Sequence, residues 1–167
     1  MEIHGFRVTR HYLGLDTAWR AEFQHLKGGR TIGINSEMDA LQGMGHACGH
    51  NLIAISGVGV ALALKAALQA HNIPGKVVLL GTPGTLHCLL AFVRGLSHIS
   101  SFQAEEAGGG KVILLERGGY EDMDACIMYV QFHSPQKFNL TRIFSFHFFP
   151  DHQCLQVSSG SWSTECY

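Results

Sequence analysis

"NLIAISGVGVALALKAALQAHNIPGKVVLLGTP", residues 51 to 83, decides the fold. Leucine, isoleucine and valine surround most of the cylinder in its first twenty residues, which predicts a central helix packed on a sheet. Asn51 is a good N-cap, and Asn72, Pro74 and Gly75 are stop signals. Gly57 and Gly59 cost helix propensity, so close approach to a neighbouring backbone is expected at both. "GKVVLLGTP" (75–83) then reads as a short strand of the continuously apolar kind that parallel sheets bury on both faces.

Upstream, "GFRVTRHY" (5–12) and "TAWRAEFQ" (17–24) alternate apolar and polar residues as half-buried strands do. "KGGR" (27–30) is a turn, and "RTIGINSEMDA" (30–40) a more buried strand opening into a loop. Downstream, "GGGKVILLERGGY" (108–120) predicts a second helix or helical turn, and "MDACIMYV" (123–130) a further strand. Strand–helix–strand–helix–strand is an α/β pattern, expected here as a mostly parallel sheet flanked by helices, with active loops at the strand ends. From about Tyr129 no sustained period is found, and residues 129–167 are expected to be an irregular tail after a domain spanning 1–128.

At 167 residues with 46% apolar side chains, the chain can build a real core. Net charge near −1 and scattered Lys and Arg leave no electrostatic footprint for nucleic acid or anionic membrane. Residues 51 to 64 are uncharged, but Lys65 ends the run short of a membrane span. Five cysteines without a CxxC pair argue against a disulfide framework or zinc ribbon, and "MEIHGFRVTR" lacks an apolar signal core. A soluble protein of the reducing cytoplasm is therefore expected.

Chemistry concentrates before the helix. In an extended loop His46, Cys48 and His50 would project to one side, and imidazole and thiolate are natural zinc ligands. The helix N-terminus would favour Cys48 as thiolate. Glu37 and Asp39, two apart at a strand end, suit contact with a metal or orientation of a ligand histidine. Glu105 and Glu106 in "AEEAGGG" could divide metal binding and proton transfer. Each has an ordinary reading: a polar loop beside a core helix, a turn aspartate, a solvated acidic pair. A thiol enzyme using Cys48 with His46 or His50 as base is the weaker rival, since it leaves Glu105 and Glu106 without a role.

"SEMDALQGMGHACGHNLIAISGVGVALALKAAL", "GKVVLLGTP" and "AEEAGGGKV" together resemble the zinc peptidase family of aminoacylases, carboxypeptidase G and peptidase T. The similarity is greatest to its amidohydrolase and Xaa-Arg dipeptidase branch, over roughly residues 3 to 83 and 104 to 128. The resemblance implies a zinc-peptidase catalytic domain binding one or two divalent metal ions. Cys48, His50 and Glu106 would be metal ligands, Glu105 the general base, and Asp39 an orienting acid, with Glu37 matched more loosely. The implied substrate is a small dipeptide or N-acyl amino acid, hydrolysed at its amide bond.

The pattern breaks twice. Residues Gly84 to Gln103 separate two segments that are contiguous in the family, and read as a non-family insertion, either translated intron or a natural loop. "YVQFHSPQ" makes His133 only a loose match to a further histidine ligand. The chain is thus expected to be an incomplete metallopeptidase domain of weak zinc binding and low turnover. The alternative is an inactive fragment acting through protein association or self-association.

Overall fold

The computed structural model describes residues 1–40, 44–83, 109–131, 142–148, 154–158 and 161–163. After a 3-10 turn at Glu2–His4 come β1 (Arg7–Arg10), a second turn at Tyr12–Gly14, β2 (Trp19–His25) and β3 (Arg30–Ser36). Then follow α1 (His50–Ala70), β4 (Gly75–Gly81), α2 (Gly110–Glu116) and β5 (Ala125–Gln131). Strands β6 (Arg142–Phe148), β7 (Cys154–Ser158) and β8 (Ser161–Ser163) complete the described elements. All eight strands form one sheet in the order β1-β2-β4-β3-β5-β6-β7-β8.

The chain is α/β, but the sheet is mixed and not mostly parallel. Only β3 with β4 and β3 with β5 run parallel; every other neighbouring pair is antiparallel. Parallel pairing requires a long crossover, which α1 supplies between β3 and β4. The expected irregular tail is also corrected where it is described, because β6 to β8 extend the sheet as an antiparallel meander. The pattern was present in "RIFSFHF", where Phe144, Phe146 and Phe148 alternate with Ser145 and His147, a period of two over a single short strand.

Strand β4 is the centre of the fold. Val77, Val78, Leu79 and Leu80 are all at most 1% exposed, which explains their unbroken apolar run. Val77 and Leu79 pack with Phe6, Ala21, Ile34 and Ala61 of α1. Val78 and Leu80 pack with Leu114 of α2, Tyr120, Met123 and Cys126. Successive side chains of one strand therefore feed two cores, with α1 in one and α2 in the other.

The helix starts at His50 with Gly49, not Asn51, at its N-cap, and Gly49 takes a left-handed conformation (φ 84°) open to glycine. At the far end His71 N–H returns to the Ala67 carbonyl, and Asn72 has positive φ before Pro74. The turn at Gly28 and Gly29 is enforced by packing: a Cβ on Gly29 would stand 1.8 Å from the Pro74 carbonyl oxygen. Gly57 makes the expected close approach to β3, whereas Gly59 faces open space. Only His50, Ile53, Gly57 and Ala61 of α1 are buried, one stripe instead of most of the cylinder. Lys65 does not end the helix, so α1 is long and apolar enough to cross a membrane by length and composition alone. Core helices of sheet proteins meet that criterion too, and the buried stripe of α1 lies on β3 and β4.

Candidate active site

The parallel strand β3 ends at Ser36, and the backbone N–H of Thr82, just past β4, donates to the Ser36 carbonyl at 3.1 Å. This is the carboxyl end of the parallel pair, where α/β sheets place their sites. Glu37 and Asp39 leave β3 there, and His50 opens α1 above them. All three side chains are nearly enclosed, Glu37 at 3% and Asp39 and His50 at 8% exposure.

His50 is engaged at both ring nitrogens. Its Nε2 lies 3.2 Å from Glu37 Oε2. Its Nδ1 lies 3.1 Å from Asp39 Oδ1 and 3.1 Å from Cys48 Sγ. A ring nitrogen, a sulfur and a carboxylate oxygen gathered this closely repel one another unless a proton or a cation lies among them. Glu37 is held from its other side by the Lys111 ammonium, donated from the first turn of α2.

The structure thus brings together Asp39, Cys48 and His50, as well as Glu37. His46 does not join them. The loop is not extended at this point: the Gly49 N–H bonds back to the His46 carbonyl, and exposed His46 turns its Nδ1 to the Asp39 backbone carbonyl at 3.2 Å. Cys48 and His50 meet through the turn at Gly49, not through alternation along a strand. Glu105, Glu106 and His133 lie outside the described residues, as does the segment 84–103. Two participants carried weak signals in the sequence. Glu37 sat beside a better acidic match, and Lys111 was visible only as the basic residue opening the helix after the acidic pair.

Beside this cluster runs an open, mainly apolar groove of about 370 Å³, lined in part by Met38, His46, Ile55 and Val58. In the core beneath α2, burial pushes the Cys126 thiol up to about 12 despite the nearby Lys111 charge. Cys126 is therefore a core group without nucleophilic character.

No protein-family model matches the chain. Individual proteins do. Xaa-Arg dipeptidase of Mus musculus is 42% identical over 124 residues, covering 70% of this chain and 24% of the relative. Xaa-Arg dipeptidase of Homo sapiens is 38% identical over 132 residues, 72% of this chain and 26% of the relative. A p-aminobenzoyl-glutamate hydrolase polypeptide of Escherichia coli (strain K12) is 28% identical over 146 residues, 77% of this chain and 26% of the relative. The chain is related to the peptidase and amidohydrolase family.

It spans about a quarter of the length of the curated relatives it matches. Among the described residues, no set of three or more His, Cys, Asp and Glu side chains forms a metal-holding group. What these residues do offer is a thiol and an imidazole nitrogen close enough to share one ion, with a carboxylate adjoining. That donor chemistry fits a borderline-soft divalent cation such as zinc. The remaining ligands would have to come from residues outside those described.

Proposed function

We propose that the chain carries one side of the active site of a metal-dependent hydrolase acting on the amide bond of dipeptides or N-acyl amino acids. The observation that carries this reading is the meeting of Cys48 Sγ and Asp39 Oδ1 at His50 Nδ1, at the carboxyl end of β3, in a chain related to dipeptidases and amidohydrolases. Cys48 and His50 would hold zinc with Glu106, and with His133 as a further ligand. A bound zinc ion supplies Lewis acidity, lowering the pKa of water and polarising the amide carbonyl. Glu105 would take the proton from the attacking water and return it to the leaving amine. Asp39 adjoins the proposed ligand atoms on the Nδ1 side, Glu37 faces the other ring nitrogen and would orient His50 from there, and the groove along Met38 and Ile55 accommodates an apolar part of the substrate. A cytoplasmic location belongs to the same proposal, since Cys48 must remain a free thiol, as it is here.

The test is zinc titration of the purified chain with alkylation of Cys48 followed in parallel. Partial or weak zinc binding that protects Cys48, and loss of that protection in His50→Gln, are expected, with slow hydrolysis of dipeptides. Saturating zinc that leaves the alkylation rate of Cys48 unchanged overturns the reading.

A further inference from the structure

We infer that the outward face of α1 is a self-association surface, on which a second copy of this chain lays its own α1 antiparallel. The inference goes beyond the hydrolytic reading and involves no metal.

Opposite its buried stripe, α1 presents Leu52, Ile55, Gly59, Ala63, Ala67 and Ala70. Leu52 is 45% and Ile55 62% exposed, and the other four positions are open as well. A helix lying on a sheet ordinarily turns charged side chains to water on this side. The 21 residues of α1 contain no Asp, Glu or Arg and one Lys. That residue, Lys65, is engaged elsewhere: its ammonium donates to the His4 carbonyl and lies 4.6 Å from the centre of the Phe23 ring. A continuous uncharged face of this kind marks a contact surface.

The order of the side chains says which partner fits. Along this face the large residues, Leu52 and Ile55, stand in the first half of the helix, and only glycine and alanine follow. A two-fold axis at the level of Ala61 sets Leu52 of one copy against Ala70 of the other, Ile55 against Ala67, and Gly59 against Ala63. Every large side chain then meets an alanine, and the two helices close on each other at the middle. Parallel pairing would set Leu52 against Leu52 and Ile55 against Ile55, wedging one end apart and leaving a gap between alanines at the other. Self-complementarity about a two-fold axis is the mark of an isologous dimer. A lipid surface fits less well. Helices that lie in a membrane interface carry large apolar residues on one face and cations on the other, whereas here the second half is alanine and the lysine is held by the N-terminal turn.

The seam is short. A 21-residue helix is about 30 Å long. A strip about 10 Å wide along it gives about 600 Å² over both copies, against about 1,200 Å² for a stable interface. The dimer is therefore weak and forms only at high protein concentration.

Sedimentation equilibrium of the full chain, from low micromolar concentration to about 1 mM, is the experiment. A monomer–dimer equilibrium that stops at the dimer is expected. Ala63→Glu puts like charges at the centre of the seam and should weaken dimerisation at least about 10-fold. Ala67→Leu is the sharper probe, because it makes the face more apolar yet sets leucine against Ile55 of the second copy. It should weaken the dimer by about 10-fold or more, and adding Ile55→Ala, which exchanges large and small, should restore it. Should these variants fail to fold, Ala70→Leu with and without Leu52→Ala asks the same question at the ends of the seam. A parent chain monomeric throughout, assemblies that grow beyond the dimer, or an Ala67→Leu or Ala70→Leu variant that associates as tightly as the parent or more so overturns the inference. Binding of the parent to phosphatidylcholine vesicles in place of self-association overturns it too, and assigns the face to lipid.

Discussion

Gly57 of α1 sits against the backbone of Asn35 in β3, so closely that a Cβ on the glycine would stand 3.3 Å from the Asn35 carbonyl oxygen. The same Cβ would meet Ser36 Cβ at 3.3 Å and Leu79 Cδ1 at 3.4 Å. This contact lowers α1 onto the sheet two turns after His50, and it sets the height at which His50 reaches Glu37 and Asp39. A leucine here must push the helix away from a strand that cannot yield. Gly57→Leu should cost about 2 to 3 kcal/mol, the upper range for overpacking. Gly59, two residues beyond, has nothing within 4 Å of its Cβ position. Gly59→Ala should instead stabilise the chain by about 0.5 to 1 kcal/mol, through helix propensity alone. Urea unfolding of the two variants checks the contrast; equal effects would mean that the two glycines share an environment.

Arg20 is the second fixed point of the fold. Although 6% exposed, it donates to Tyr12 Oη at 2.8 Å, to Glu22 at 2.9 and 3.1 Å, and to both carboxyl oxygens of Asp122. Lys76 of β4 adds bonds to Glu22 at 2.7 Å and Asp122 at 3.0 Å. The network ties β2 and β4 to the segment before β5, so it closes the second core around Tyr120 and Met123. Arg20→Met leaves Glu22 and Asp122 short of a partner. It should cost about 3 kcal/mol, the low end for breaking a buried pair, because Asp122 keeps access to water. Chemical denaturation measures it, and a loss below about 1 kcal/mol would reduce the network to an ordinary surface pair.

The same network predicts how stability depends on acid. Burial alone would raise Glu22, but hydrogen bonds from Lys76 and Arg7 and the charge of Arg20 outweigh it and hold the group at about 2, below its ordinary 4.5. Asp122 is likewise opposed by burial and held at about 2, from 3.8, by Arg20 and Lys76. A carboxyl with a depressed pKa in the folded chain binds its proton more readily when unfolded. Its contribution is therefore complete above the unfolded values and is lost as pH falls toward 2. The urea midpoint should hold steady above about pH 5 and drop between about pH 4.5 and 2. Arg20→Met should flatten that drop. A variant with the parent's full acid sensitivity would place its origin elsewhere.

Much of this was legible in the residues, for reasons that differ by element. The β3–α1–β4 unit was readable because β4 is buried on both faces, and its unbroken apolar run reports that directly. The mixed character of the sheet was not: whether β2 pairs with β3 or β4 depends on which strand wins the centre, and local pattern contains no such information. The tail strands escaped because an alternation only seven residues long in β6 is lost in a search for sustained period. At the candidate site, Cys48 and His50 stand side by side as their spacing suggested, but not through the extended loop expected for them. Gly49 in the left-handed region turns the chain, and this is what excludes His46. Lys111 was visible only as a basic residue opening a helix, and its link to Glu37 was not, since that contact crosses from one helix layer to the strand ends through space.

Cys48 and Cys126 should respond oppositely to a thiol reagent. Cys48 is partly exposed at the turn before α1, whereas Cys126 is wholly enclosed between Met123 and the centre of the sheet, with its thiol pushed up to about 12 by burial. At pH 8 Cys126 is therefore far less ionised than an ordinary cysteine, before any loss of access is considered. Brief treatment of the folded chain with iodoacetamide, followed by peptide mass mapping, should modify Cys48 and leave Cys126 intact. In urea above the unfolding midpoint both should react, because the barrier at Cys126 is enclosure and not an intrinsic property of its side chain. Modification of Cys126 in the folded chain at a rate comparable to Cys48 would mean that the second core opens readily. The packing of α2 on the sheet, which brings Lys111 to Glu37, would then be loosely held.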